Sequence, residues 1–213
     1  MKTEIYHSQD FESELIKHGD NFRGAGYARS THALYQYKMM LELVREKDQD
    51  ITLLDLGCGL GHMLDYIKSD DRYSKIKYSG MDLSQKYLKI AQKKHPGIDF
   101  YCLNILNEAE KFPEYDYIVM NGIFNYKGSI SMVDMLEYWK KMVSAAYKKA
   151  KKGIAFNVMS KIVDWEREDL FHLSFDVMGN YISKNLQRNF IIRHDYGRFE
   201  YTTYVYRETF FNF

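Results

Sequence analysis

The chain has 213 residues, 46% of them hydrophobic, and a formal net charge of +1 at pH 7. That is the length of one domain with enough apolar content for a sizeable core, and the balanced charge excludes a global field drawing the chain to nucleic acid or an anionic membrane. Its two cysteines, Cys58 and Cys102, make no disulfide framework, so a reducing cytoplasm is the expected setting, with both thiols inside the fold. The opening residues lack the apolar stretch of a signal peptide, and no run approaches transmembrane length. Scattered histidines without paired cysteines give no metal-ligand pattern.

In chain order, Phe11, Leu15 and Ile16 suggest a short amphipathic helix ending near Gly19. A polar, glycine-bearing loop runs from Asp20 to Ser30. Ser30 or Thr31 then caps a helix whose apolar stripe is Leu34, Tyr37, Leu41 and Val44. Ile51 to Leu56 is a short apolar run with β-branched members, the length of a strand rather than a helix. Gly57, Gly59 and Gly61 follow, and bare backbone there lets a ligand lie close to the chain. Met63, Leu64 and Ile67 return at helical spacing, so the turn opens a helix whose start favours a carboxylate or nucleotide. A dinucleotide fingerprint places its third glycine where this chain has His62, which weighs against a nicotinamide cofactor.

Ile76 to Asp82 is a second strand ending in an acid, and a carboxylate at that place can accept both hydroxyls of a ribose. Ser84 caps the helix carrying Tyr87, Leu88 and Ala91. A third strand covers Ile98 to Leu103, with Asn104 after it, and a fourth covers Tyr115 to Met120, leading into Asn121 to Tyr126. Met132, Leu136, Trp139, Val143, Ala146 and Ala150 form one face of a long helix, with lysines on its solvated side and Gly153 as its stop. Ile154 to Val158 is a fifth strand with Asn157 near its active end. Lys161 to Arg188 reads as mostly helical, with Trp165 to His172 as a wall for substrate. Phe190 to His194 is a sixth strand, and the alternation from Phe199 to Arg207 is that of a hairpin strand.

The run Asp55-Leu56-Gly57-Cys58-Gly59-Leu60-Gly61 closely resembles motif I of the class I S-adenosylmethionine (SAM) methyltransferases, and Asp82 stands where that family carries its second motif. The resemblance spans roughly residues 50–207. It implies an α/β fold: a three-layer αβα sandwich around a seven-stranded, mostly parallel sheet that ends in an antiparallel hairpin. A cofactor-covering segment would occupy 1–50, the methyltransferase domain 51–207, and a tail 208–213. SAM is the implied cofactor. Asp55, Gly57, Cys58 and Gly59 would surround its methionine half, with Asp82 and Leu83 at the ribose. Asn104 and Ile105 would sit at the adenine, and Asn121 beside the ligand. Many members have aspartate where this chain has Asn104, whose oxygen can still accept from the adenine amino group. In related layouts the leading segment folds over the cofactor, so Tyr27 would cover it and Arg23 bind its carboxylate.

DNA-adenine methylases carry two prolines where this chain has Gly122 and Ile123, which argues against that activity. The Gly-Ile-Phe-Asn run looks more like small bacterial methyltransferases associated with sugar or polysaccharide modification. Asn125, Tyr126 and Asn157 are then substrate-binding candidates, with Asn125 and Tyr126 equally readable as turn and core residues. A hydroxyl acceptor calls for a base as the carbon–oxygen bond forms. His194 is the first candidate and His172 the second, each alternatively a structural histidine. The expected partner is a small-molecule substrate, without nucleic acid, membrane or metal, and the aromatic tail offers a contact for a homodimer. An NAD(P)-dependent oxidoreductase and a non-catalytic SAM-binding module are the competing readings.

Overall fold

Neighbouring residues of the central strands go to opposite faces, and both faces are covered. Leu54, Ile118, Met120, Ile154 and Phe156 enter one apolar cluster, while Leu53, Tyr117, Val119 and Ala155 enter the other. This period of two, in strands apolar throughout, is the mark of a sheet buried on both sides. The computed structural model describes residues 12–208. Phe11 and the tail Thr209–Phe213, with the dimer contact expected of it, lie outside the described residues.

The elements follow the expected alternation. Helix α1 covers residues 12–18 and α2 covers Ser30–Leu41. Strand β1 (Ile51–Leu56), α3 (His62–Lys68), β2 (Ile76–Met81), α4 (Gln85–Lys94), β3 (Phe100–Tyr101), β4 (Tyr115–Met120), α5 (Met132–Lys149) and β5 (Ala150–Ser160) form the main alternating run. Two-residue β6 (His172–Leu173), α6 (Phe175–Asn185), β7 (Phe190–Arg193) and β8 (Glu200–Tyr206) complete the fold. The sheet order is β3-β2-β1-β4-β5-β8-β7, with β6 paired to β5. All pairings are parallel except β8 with β5 and with β7. Helices α5 and α6 cover one face, and α2 and α3 the other. The expected sandwich and closing hairpin are present, with eight strands rather than seven because β6 adds a short parallel rung.

Several local expectations differ from the structure. Helix α5 ends at Lys149 and β5 starts at once, so Gly153 lies inside a strand rather than stopping a helix. A Cβ on Gly153 would meet the Val205 carbonyl oxygen at 2.9 Å, so this glycine permits the close approach of β8. Of residues 161–188 only Phe175–Asn185 is α-helical, because the stretch before it is spent on turns and on β6. Leu34 is exposed. The expected Tyr37, Leu41 and Val44 are buried, and Ala33, Gln36, Met39 and Met40 complete the buried face of this segment, so Leu34 alone departs from the stripe. The Cys102 side chain is exposed, and only Cys58 is buried.

The leading segment is part of the sandwich. Tyr204 Oη donates to the Met39 carbonyl at 2.7 Å, and Tyr206 Oη to Leu43 at 3.2 Å, tying α2 and its continuation to β8. Helix α1 reaches α4 through Glu12, which accepts from Ser84 Oγ at 2.7 Å and pairs with Lys86 at 2.8 Å. No helix among the described residues is long and apolar enough to cross a membrane.

Trp139 is fully buried between Phe156 and Tyr181, with ring centroids 5.7 and 5.3 Å away. Trp139→Ala should lower unfolding stability by about 3–5 kcal/mol in urea melts. Trp139→Phe should cost less, because it removes an indole N–H that has no hydrogen-bond partner.

Candidate functional site

Strand order reverses between β1 and β4, since β2 and β3 extend the sheet one way and β5 the other. Ligands of open α/β sheets bind in the crevice beyond the carboxyl ends of the strands at such a reversal. A cavity of about 520 Å³ lies here, within the range of small-molecule sites. Its wall runs from Asp82, Leu83, Asn104 and Ile105 on the β2 side to Asn125, Tyr126, Arg198 and Glu200 on the β8 side.

The glycine turn shapes the middle of this cavity. The amides of Gly57 and Cys58 both donate to the Met81 carbonyl, at 2.7 and 3.0 Å. Gly57 has φ +88°, and a Cβ there would strike Ile123 Cγ2 at 2.2 Å. Gly59, at φ +52°, has no atom within 4 Å of a Cβ position, so its bare backbone borders open space. His62, at the start of α3, pairs with Asp20 at 2.8 Å and so fastens the leading loop over the turn. The residue that breaks the dinucleotide spacing thus has a structural role of its own.

Two carboxylates face this turn. Asp82 accepts from the Gly59 N–H at 2.9 Å and the Ser84 N–H at 2.8 Å. Burial raises its pKa, and these backbone donors pull the other way. Asp55 is 2% exposed, and its Oδ2 accepts from Tyr78 Oη at 2.8 Å while its Oδ1 has no partner. Burial lifts Asp55 to about 7, against the Tyr78 hydrogen bond and helped by the charge of Asp82. A buried, unpaired carboxylate oxygen on a cavity wall suits a cation. The methionine half of SAM carries an ammonium and a sulfonium, and Asp82 offers the ribose acceptor beside it. Met63, Met81, Leu103 and Ile105 add apolar wall, so the residues present fit an adenosyl cation.

Residues Ala25 to Ala28 line the cavity from the leading loop. That loop is folded by Asn21, whose side-chain oxygen accepts from the Arg23 and Gly24 amides, and is held by Tyr87 Oη donating to Gly24 at 2.9 Å. Asn121 Nδ2 donates to Tyr27 Oη at 2.7 Å.

The far end is organised by Glu200, which is 3% exposed. Gln36 Nε2 donates to both its oxygens at 2.6 and 2.8 Å, Asn125 Nδ2 at 2.7 Å and Asn157 Nδ2 at 3.0 Å. Asn157 also accepts the Gly122 N–H at 2.7 Å. Burial raises Glu200, and these amides with the charge of Arg198 oppose it. Turning either Gln36 or Asn125 over would set oxygen against carboxylate, so their orientation is determined. It leaves Gln36 Oε1 and Asn125 Oδ1 buried without partners.

The cavity brings together Tyr27, Asp55, Gly57, Cys58, Gly59, Asp82, Leu83, Asn104, Ile105, Asn121, Asn125 and Tyr126. Asn104 Oδ1 accepts the Leu106 N–H at 2.9 Å, so it shapes a turn on the wall. Four expected residues are not on the wall. Arg23 is exposed on its loop, and Asn157 is buried beneath Glu200. His172 is 2% exposed with both nitrogens engaged, Nδ1 with the Ser160 carbonyl at 2.6 Å and Nε2 with the Arg167 N–H at 3.3 Å. His194 follows edge strand β7 and packs against the rings of Phe175 and Tyr201. The wall also includes His32, Gln36, Arg167, Arg198 and Glu200, which local pattern passes over. Gln36 and Glu200 are far apart in sequence, and nothing in either neighbourhood announces the other. Among the described residues no three His, Cys, Asp or Glu side chains are grouped to hold a metal ion.

Comparison with known proteins agrees with this geometry. Residues 54–153 match the family model of a methyltransferase domain. A Mycobacterium tuberculosis protein named as a methyltransferase, Rv1506c, is 29% identical over 164 residues, covering 72% of this chain and 92% of that protein. The malonyl-[acyl-carrier protein] O-methyltransferase of Halalkalibacterium halodurans is 27% identical over 126 residues, 55% of this chain and 45% of that enzyme. In fold, the chain is similar to magnesium protoporphyrin IX methyltransferase of Synechocystis PCC 6803, solved with bound S-adenosylhomocysteine. The TM-score is 0.66 at 15% identity, covering 97% of each chain. The methyltransferase-domain match over residues 54–153, the doubly covered sheet and the paired acids at its reversal point mark an S-adenosylmethionine-dependent methyltransferase.

Proposed function

We propose that the methyl acceptor is a hydroxyl of a small molecule, a sugar or related metabolite. The observation that carries this reading is the pair of buried, unpartnered amide oxygens, Gln36 Oε1 and Asn125 Oδ1, on two residues that line the cavity and whose amide nitrogens are held by Glu200. Such oxygens only accept, so they suit a group that brings a proton. The kind of reaction named for the H. halodurans relative, an O-methyl transfer, supports oxygen as the receiving atom, although the chain spans less than half of that enzyme. A cavity of this size on a chain of near-neutral overall charge favours a small molecule over nucleic acid or a membrane surface.

Bound SAM supplies an electrophilic methyl on a sulfonium, and its loss leaves a neutral thioether. Asp55 and Asp82 hold the cationic and ribose parts, and Gly59 lets backbone approach closely. Gln36 Oε1 and Asn125 Oδ1 would accept from hydroxyls flanking the reacting one and so fix the acceptor for in-line attack, leaving the reacting O–H free to give its single proton to the base. The hydroxyl proton passes to a base on the wall. We assign that role to His32, since His172 has both nitrogens engaged and His194 lies off the cavity. His32 is half-buried, and burial with the charges of Arg198 and Arg29 lowers its pKa, so it is neutral and ready at pH 7.

Titration calorimetry with S-adenosylhomocysteine tests the cradle. Its ammonium should favour ionised Asp55, whose pKa is about 7 before binding and lower afterwards. Below pH 7 binding should therefore release a proton, and affinity should fall by up to about tenfold per pH unit. Asp55→Asn should bind more weakly and lose this pH dependence. Asp82→Ala should weaken binding at every pH, and unchanged heats in both variants would refute the cradle.

For the base, His32→Asn should lower kcat roughly 100-fold or more on a panel of sugars with tritiated SAM. Affinity for S-adenosylhomocysteine should stay within about twofold, since His32 acts at the acceptor rather than the cofactor. Wild-type activity should persist below the pH at which an ordinary imidazole is half protonated, because its pKa is lowered. A variant as fast as wild type would remove His32 from the mechanism.

A further inference from the structure

The acceptor end of the cavity carries a charge that the transfer of a methyl to a neutral hydroxyl leaves unused. Arg198 lies in the turn before β8, two residues ahead of Glu200, and both line the same cavity. Its Nε is buried without a hydrogen-bond partner, and no salt bridge joins Arg198 to a carboxylate among the described residues. The other arginine on this wall, Arg167, is already committed, with Nε and Nη2 on Asp169 at 3.0 and 2.5 Å. Glu200 is near enough to feel the charge of Arg198, but four amide hydrogen bonds take up its oxygens. His32 beside them is held neutral.

At this end the oxygens of Glu200 are committed to Gln36, Asn125 and Asn157, while Arg198 Nε is left without a partner among the described residues. A neutral acceptor would leave a half-buried guanidinium with an unmade charged hydrogen bond, which is expensive in low dielectric. An acceptor carrying one anionic group fills it, and a planar guanidinium is suited to carboxylate or phosphate.

We infer that the acceptor carries an anionic group, a carboxylate or phosphate, which Arg198 grips while Gln36 and Asn125 receive the hydroxyls flanking the reacting one. The inference rests on the hydroxyl reading above and narrows it to hydroxy acids and phosphorylated alcohols or sugars. The transfer balances without a further reactant. The hydroxyl oxygen bonds to the methyl carbon, the carbon–sulfur bond breaks with its electron pair kept on sulfur, and the proton goes to His32. The anionic group remains on the product unchanged.

The test loads the protein with S-adenosylhomocysteine and titrates it with inorganic phosphate, with chloride at equal ionic strength as the blank. Phosphate should bind saturably to wild type, Arg198→Lys should keep most of that binding, and Arg198→Gln should weaken it roughly tenfold or more. Absence of phosphate binding to wild type, or equal binding to Arg198→Gln, overturns the inference. A second arm compares S-adenosylhomocysteine with 5′-methylthioadenosine, which lacks the amino-acid tail. If Arg198→Gln weakens only the first, the guanidinium belongs to the cofactor's own carboxylate and the inference falls. A third arm offers tritiated SAM with glucose, glucose 6-phosphate and glucosamine 6-phosphate. Labelling of the phosphorylated sugar above glucose, lost in Arg198→Gln, supports the assignment. N-labelling of the amine alone, still dependent on Arg198, would refute the hydroxyl reading while leaving the anion site standing.

Discussion

The contact on which the site depends is the acceptance of the Gly59 N–H by Asp82. It joins the turn after β1 to the end of β2, and the second Asp82 oxygen holds the Ser84 amide at the start of α4. One half-buried carboxylate thereby sets the relative height of a turn, a strand end and a helix start. Backbone donors compensate its desolvation on the cavity wall. Gly57 serves the same geometry from the other side, since any side chain there would displace Ile123 and with it the loop after β4.

A second carboxylate does for the acceptor end what Asp82 does for the cofactor end. Glu200 draws donors from α2, from the loop after β4 and from β5, three segments remote in sequence. Leaving a buried carboxylate unpaired costs several kcal/mol, so these amides are held firmly with their nitrogens on Glu200. The leading segment is part of the same cavity: Gln36 and His32 come from α2, and Tyr27 accepts from Asn121, so residues before the first strand line it together with those after β4. Asp55 and Asp82 lie toward one end of the cavity, while Arg198, whose Nε has no partner among the described residues, lies beside Glu200 at the other.

Misjudged stretches share one physical cause. Gly153 was expected to stop a helix because glycine commonly does so, but here it lets β8 approach β5, a contact between residues 52 apart in sequence (Gly153 and Val205). Spacing places Leu34 in the core with Tyr37, Leu41 and Val44; the last three are buried, but Leu34 is exposed and polar Gln36 is buried instead, bonded to Glu200. The residues before α6 carry helix-compatible composition but are recruited to β6 and to the His172 hydrogen bonds. In each case a long-range partner overrode a sound local preference.

What the amino-acid order determined by itself was the alternation of strands and helices, the turn at Gly57 to Gly61, the acid at Asp82 and hence the cofactor. These are written within short windows, because strand period, bare backbone and a strand-end carboxylate are local properties. The other half of the cavity was decided only by tertiary structure. His32 and Gln36 come from α2, Arg198 from the turn before β8 and Glu200 from its start, and these two remote regions acquire meaning from their shared cavity, where a low dielectric makes every unpaired polar atom count. His172 and His194 show the converse, since residue type alone recommended both, and the fold engaged one in structural hydrogen bonds and set the other against two aromatic rings.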